Sequence, residues 1–184
     1  MKYLLVLLII INFLNAEIKK TYYPNGKIES EISMQDTKKD GMERYYYENG
    51  VLKWEISWKN DKRDGVEKEY YKNAQLENEI VYHNDKKEGI QKKYYPNGKL
   101  AIERLWKDGK REGLSKEYHE NGNIMVEVFY INGKAEGLAK DYYENGKVMR
   151  EVIFKNGKIK SGFFYKEDGT KSKMSKVQIL NLGF

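Results

Sequence analysis

The chain contains no cysteine. Disulfides, thiolate metal sites and cysteine nucleophiles are therefore excluded. So is the lipidated cysteine that tethers a bacterial lipoprotein. Histidine occurs only at His83 and His119, in no metal-ligating spacing. The few serines form no nucleophile elbow. Isolated turn glycines do not make a phosphate-binding loop, which needs consecutive N–H groups beside a helix terminus. The loops at Asp36, Asn60-Asp61 and Asn84-Asp85 are followed by Lys38, Lys62 and Lys86, where a calcium loop would need further oxygen ligands. Composition and spacing thus point to a protein that is not an enzyme, has no cofactor and holds no metal.

Charge of one sign is also scarce. The formal net charge is +6 over 184 residues. Lys171, Lys173 and Lys176 lie in a tail with no acid after Asp168, so the body of the chain is close to balanced. No nucleic-acid partner is expected from such a body. The one apolar run, residues 3–11, is shorter than the roughly 17–25 residues that span a bilayer. It follows a basic Met1-Lys2 start and precedes Leu14-Asn15-Ala16, which ends on a small residue. That is the pattern of a cleaved signal peptide over residues 1–16. The expectation is an exported bacterial protein, periplasmic or secreted.

What is abundant is a repeat. Asn25-Gly26, Asn49-Gly50, Asn97-Gly98, Asn121-Gly122 and Asn145-Gly146 recur in steps of 24 residues or a multiple, with Asn73-Ala74 in the remaining place. Asp168-Gly169 ends the series one residue early. A period of this length means a quasi-one-dimensional array and not one globular core. With 16 Tyr and only 2 Pro, the segments between turns read as strands. The breakers come too often for independent helices. Residues 17–170 should therefore form about seven tandem β-hairpins in an elongated single-layer antiparallel meander, an all-β fold.

Within the unit at residues 65–88, Val66 to Tyr71 and Leu76 to Tyr82 read as two strands, and His83 to Glu88 as a polar loop. One apolar face is expected to run through the array. It takes Ile18/Tyr22, Met42/Tyr46, Val66/Tyr70, Ile90/Tyr94, Leu114/Tyr118 and Leu138/Tyr142 from the first strands. From the second strands it takes Ile28, Leu52, Leu76, Leu100, Ile124 and Val148, then Met34, Trp58, Tyr82, Trp106, Tyr130 and Phe154. Tyr94 and Trp106 should thus share a face. Five residues past each turn stand Glu31, Glu55, Glu79, Glu103, Glu127 and Glu151. A carboxylate copied in every unit suits cross-strand pairing with Lys or Arg better than catalysis. Residues 171–184 read as a basic linker, with Val177 to Leu180 as a capping strand.

The unit Tyr94-Tyr95-Pro96-Asn97-Gly98-Lys99-Leu100 with Glu103 resembles the MORN-repeat variant of bacterial proteins. The match recurs on Tyr22-Tyr23-Pro24-Asn25-Gly26 with Glu31, Tyr46-Tyr47-Glu48-Asn49-Gly50 with Glu55, and Tyr142-Tyr143-Glu144-Asn145-Gly146 with Glu151. Gly41, Gly65, Gly89, Gly113 and Gly137 match the glycine that opens each unit; Ala74 and His119 depart from the pattern. The resemblance implies a protein-binding, scaffolding or lipid-associated module. Many such chains carry the YwqK-type label of a toxin–antitoxin antitoxin component, which implies a toxin as partner.

The leading expectation is a non-catalytic exported module with a protein partner. The alternatives are contact with an envelope surface or polymer, through Tyr-rich faces and the Lys171–Lys176 segment, and neutralisation of a toxin. Processing is directly measurable. N-terminal sequencing of the exported protein should begin at Glu17; a membrane-bound chain retaining Met1 would show that the apolar run anchors the protein instead.

Overall fold

The computed structural model describes residues 16–181. The signal peptide expected over residues 1–16 falls, but for Ala16, outside the described residues. Strands β1 (Ala16–Tyr22) and β2 (Ile28–Gln35) form the first hairpin, β3 (Lys38–Tyr46) and β4 (Leu52–Lys59) the second, and β5 (Lys62–Tyr70) and β6 (Leu76–His83) the third. Next come β7 (Lys86–Tyr94) with β8 (Leu100–Lys107), and β9 (Lys110–Tyr118) with β10 (Ile124–Ile131). The short β11 (Lys134–Ala135) pairs with β10, and β12 (Gly137–Tyr142) lies between β10 and β13 (Val148–Lys155). Strands β14 (Lys158–Tyr165) and β15 (Lys171–Lys173) complete the sheet, and helix α1 (Lys176–Asn181) follows. All pairings are antiparallel and sequential, so the sheet is one elongated meander.

Two kinds of turn alternate. At the Asn-Gly turns, Tyr47 N–H donates to the Val51 carbonyl at 2.8 Å and Gly50 N–H to the Tyr47 carbonyl at 2.7 Å. Asn49 Oδ1 accepts the Val51 N–H at 3.0 Å, a side-chain turn that Asn favours. The same bond recurs on Asn25, Asn73, Asn97, Asn121 and Asn145, and on Asp168 in the last turn. Gly26, Gly50, Gly98, Gly122 and Gly146 supply the left-handed backbone this turn needs. The segment expected as a polar loop, His83 to Glu88, is instead mostly strand. Its turn is only Asn84-Asp85, with φ of 48° and 66°. Positive φ at both central residues gives a type I′ turn, whose twist matches the strands it joins.

Each unit also carries β-bulges, which bend the strand and increase its twist. One separates Glu69 from Tyr70 against β6, and another falls between Ile56 and Trp58 against β5. Gly65 lies in the second bulge at φ +127°, where a Cβ would stand 2.8 Å from Ser57 Cβ. It does not open the unit, because β5 begins at Lys62.

The expected single apolar face is not what forms. Residues directly opposite across a sheet share a face. Glu67 stands opposite Ile56 and Ile80, while Val66 stands opposite Val81. Val66 therefore lies on the face away from Ile80. Likewise Gly89 faces Trp106, which puts Ile90 and Tyr94 on the other side from Trp106. The first-strand aliphatics are consequently exposed: Ile18 61%, Ile90 52% and Leu138 51%. The buried face holds Ile56 and Ile80, both fully covered, with Tyr82. Trp54, Trp58 and Trp106 pack over them. Large rings roof small side chains, which lets a single sheet hide apolar area worth about 1.5–3 kcal/mol for each Ile.

A second cluster, Val128, Ala139, Val152, Phe154 and Met174, closes the C-terminal end of this core face. Met174 N–H donates to the Gly162 carbonyl at 2.9 Å. Its Sδ would lie 2.5 Å from a Cβ on Gly162, so only glycine fits there. The capping strand expected at Val177 to Leu180 is instead helix α1. Ser175 explains the difference. Its Oγ accepts the Gln178 N–H at 3.2 Å, and Gln178 Oε1 accepts the Ser175 N–H at 2.8 Å. This reciprocal capping box starts a helix. The strand lies earlier, in the Lys-rich segment, where β15 pairs with β14.

Ala74 takes the turn position filled by glycine elsewhere, at φ 65°. A left-handed L-residue costs about 1–2 kcal/mol. Ala74→Gly should therefore stabilise the protein by about 1 kcal/mol after the entropy lost to a more flexible unfolded chain. Denaturant melts of the two proteins check this.

Candidate interaction surface

The outer face is organised as three rows running across the strands. The middle row is charged. Lys20, Glu31, Arg44, Glu55, Lys68, Glu79, Lys92, Glu103, Lys116, Glu127, Lys140 and Glu151 stand opposite one another in turn. Glu31, Glu55, Glu79, Glu103 and Glu127 thus each have a cation on both neighbouring strands, and Glu151 has Lys140 on one and Phe163 on the other. Lys20–Glu31 closes to 2.8 Å, Arg44–Glu55 to 3.3 Å and Lys140–Glu151 to 3.5 Å. Opposed cross-strand charges contribute about 0.2–1 kcal/mol each.

The second row is the first tyrosine of each pair. Tyr46 donates to Glu31 at 2.8 Å, Tyr70 to Glu55 at 3.2 Å and Tyr142 to Glu127 at 2.8 Å. Burial and the Glu127 hydrogen bond push the Tyr142 hydroxyl up to about 12. Tyr94 and Tyr118 occupy the equivalent strand positions opposite Leu100 and Ile124. The Glu31 and Glu151 carboxyls are held below their ordinary values, first by hydrogen bonds from Lys20 and Tyr165 respectively.

The third row is apolar. Val66 opposes Val81, Ile90 opposes Leu105, Leu114 opposes Phe129, and Leu138 opposes Ile153. All eight are exposed. The pairs recur once per hairpin from the third to the sixth, whereas the first two place Ile18 opposite Ser33 and Met42 opposite Ser57, so the row follows the long direction of the array over those four units.

The hairpin edge holds the units together. Tyr23 donates to the Tyr46 carbonyl at 2.6 Å, 23 residues on. Tyr47, Tyr71, Tyr95 and Tyr143 repeat the bond to Tyr70, Tyr94, Tyr118 and Tyr165. His119 Nε2 takes the tyrosine's place against the Tyr142 carbonyl at 3.0 Å. The opposite edge is tied by backbone bonds such as Asp85 N–H to the Arg63 carbonyl at 3.0 Å and Gly109 N–H to the Lys87 carbonyl at 2.9 Å.

The core face buries charge as well as rings. Glu43 is 3% exposed and receives Lys39 Nζ at 2.8 Å. Lys39 also stacks on Trp58 at 4.5 Å, as Arg63 does on Tyr82 at 4.2 Å, Lys87 on Trp106 at 4.8 Å and Arg111 on Tyr130 at 4.2 Å. Trp106 is further held by Gln91 Oε1, which accepts its indole N–H at 2.9 Å. Glu67 is raised above the ordinary carboxylate range, first by burial and then by the neighbouring Glu69 charge. Burial likewise raises Asp141, against the pull of its ion-paired Arg150. Two cavities open on this face. One of 580 Å³ lies among Tyr23, Tyr45, Tyr47, Trp54 and Glu69. The other, of 420 Å³, is lined by Arg111, Tyr130, Asp141, Arg150 and Phe154 among others. Among the described residues, no group of three or more His, Asp or Glu side chains is placed to hold a metal ion. Nor, among them, is any helix long and apolar enough to cross a membrane.

The profile of the MORN repeat variant matches residues 18–36, 39–60, 63–84, 87–108, 111–132 and 135–156, more than half of the chain. The chain belongs to the MORN repeat variant family. Each matched MORN unit is one hairpin, from β1–β2 through to β13, and β14–β15 follows the last of them. The match reaches the repeat and not the antitoxin subtype. Comparison with the curated proteins finds no match. A MORN-repeat sheet with no metal-binding group among its described residues is consistent with a non-catalytic interaction or scaffold module.

The structure separates the residues singled out from the MORN repeat. The six glutamates and Tyr46, Tyr70 and Tyr142 meet on the outer face, whereas Trp58 and Trp106 belong to the core face. Sequence reasoning passed over the second tyrosine of each pair, which staples neighbouring units. Its signal was visible as an unbroken column from Tyr23 to Tyr143 with only His119 departing. Glu43 and Glu67 are buried on the core face, which strand alternation by itself does not signal.

Glu67 gives a pH test. Its carboxyl is raised in the folded state, so the folded protein binds the proton more readily than the unfolded chain. Stability from this group is thus greater below its unfolded value and falls as pH rises through the raised folded value. Glu67→Gln removes the ionised form, so the variant should melt above the parent at pH 7. The gap should close in melts taken towards pH 4, below the ordinary glutamate value of about 4.3.

Proposed function

We propose that this MORN-repeat protein is an exported, non-catalytic scaffold that binds a protein partner through the outer face of its sheet. The observation that carries the reading is the exposed apolar row, from Val66 and Val81 to Leu138 and Ile153. A sheet normally covers an apolar face with a second layer. Here none lies over it among the described residues, and exposed apolar patches of this kind mark interaction sites. The charge ladder beside it supplies a polar rim. Export rests on the pattern of residues 1–16. Contact with an envelope surface or polymer is the alternative reading. It draws on Lys173 and Lys176, while Lys171 is engaged with the Phe163 ring at 4.0 Å.

The test is chemical crosslinking and retrieval from an envelope extract with the parent and with an Ile90→Thr, Leu114→Thr double variant. Both positions are exposed and threonine suits a strand, so each change should move stability by no more than about 0.5 kcal/mol. The parent should retain a defined protein that the double variant loses. Equal retention of that protein by both would remove the outer face from the reading.

A further inference from the structure

The core face shows a regular habit of placing a cation of its own over a ring. Lys39, Arg63, Lys87 and Arg111 each lie within 4.2–4.8 Å of an aromatic centroid, one per hairpin along the array. Tyr45 and Trp54 break the habit. They face each other across β3 and β4, with centroids 5.6 Å apart. Among the described residues, no cation stands over either ring.

These two rings line the 580 Å³ groove at the hairpin edge of the first three units. Tyr23 and Tyr47, the stapling tyrosines, line it too. Its carboxylates are Glu29, Glu69 and Glu77. Glu69 is the direct cross-strand partner of Trp54 and forms no ion pair among the described residues. Glu77 is paired with Lys93 at 3.3 Å. Glu67, two residues before Glu69 on β5 and on the same face, is buried opposite Ile56. The one cation lining the groove, Lys53, lies 5.7 Å from the Tyr47 centroid, and Lys72 lies 5.9 Å from it. The protein's own ammonium groups thus already approach a ring of this groove.

From this we infer that the groove binds a lysine- or arginine-bearing extended segment of a partner protein, with the cation seated over Tyr45 and Trp54 and paired to Glu69. Rings supply a negative face and the carboxylate an opposite charge, and both favour a cation carried on an apolar stem. An anion would meet Glu29 and Glu69 and be repelled. The site lies on the opposite face from the apolar row, so it does not depend on the outer-face reading.

The probes are fluorescein-labelled hexa-arginine and hexaglutamate, measured by anisotropy with full-length mature protein. Hexa-arginine should bind saturably, and more weakly as salt rises. Glu69→Gln should weaken it about tenfold, the equivalent of one strong charge contact. That change relieves repulsion with Glu67, so it leaves folding intact. Lys53→Glu alters an exposed residue and should tighten binding, which a merely unfolded variant could not do. The Ile90→Thr, Leu114→Thr protein should bind hexa-arginine like the parent. Unchanged affinity in Glu69→Gln, no gain in Lys53→Glu, or equal binding of hexaglutamate would each overturn the inference. Loss of extract retrieval in the outer-face variant alongside no hexa-arginine binding would overturn this site alone.

Discussion

The structure depends on one constraint: a single layer of sheet has no second layer to complete it. Each hairpin must therefore find its partners in the next hairpin. The tyrosine bonds from Tyr23, Tyr47, Tyr71, Tyr95 and Tyr143 to a carbonyl one unit on are the clearest expression of that dependence. A neutral hydrogen bond contributes only about 0.5–1.5 kcal/mol net. Repeated at every junction, and matched by backbone bonds on the loop edge, it fixes how each unit sits on the next. Stability in such an array is a sum of units and their interfaces.

The same constraint divides labour between the faces. On the core face, Trp54, Trp58 and Trp106 cover Ile56 and Ile80 because no other layer does. Cations then lie over the rings and partly neutralise buried acids, as Lys39 does for both Trp58 and Glu43. On the outer face, charges are set in alternation and answered by tyrosine hydroxyls. The aliphatic row beside them is left in water. A surface that satisfies its polar groups internally and leaves its apolar groups uncovered is suited to a partner that brings apolar area of its own.

Much of this was legible in the chain. The turns were, because Asn-Gly demands a specific backbone and recurs in phase. The opposition of Glu and Lys was, because its period equals that of the turns. The side of the sheet on which each stripe falls was not. Val66 and Ile90 were expected on the core face and are exposed, while Glu43 and Glu67 are buried there. Bulges cause the difference. They add an extra residue within one strand of a pair, so alternation along one strand does not carry over to the face of the next. The helix at Lys176–Asn181 was missed for another reason. Val177, Ile179 and Leu180 favour a strand intrinsically, but the bonds between Ser175 and Gln178 select the helix locally.

By itself, the sequence determined that this protein is an array of tandem hairpins with no cysteine chemistry, because periodicity and composition need no coordinates to be read. Only the tertiary structure decided what the array presents. Cross-strand register assigned each residue to a face, and contact across each hairpin set which rings meet a cation. Tyr45 and Trp54 are unremarkable letters in the chain; they become a groove because β3, β4 and β5 place them beside Glu69 and leave them uncapped. Register is a relation between strands, and no single strand contains it.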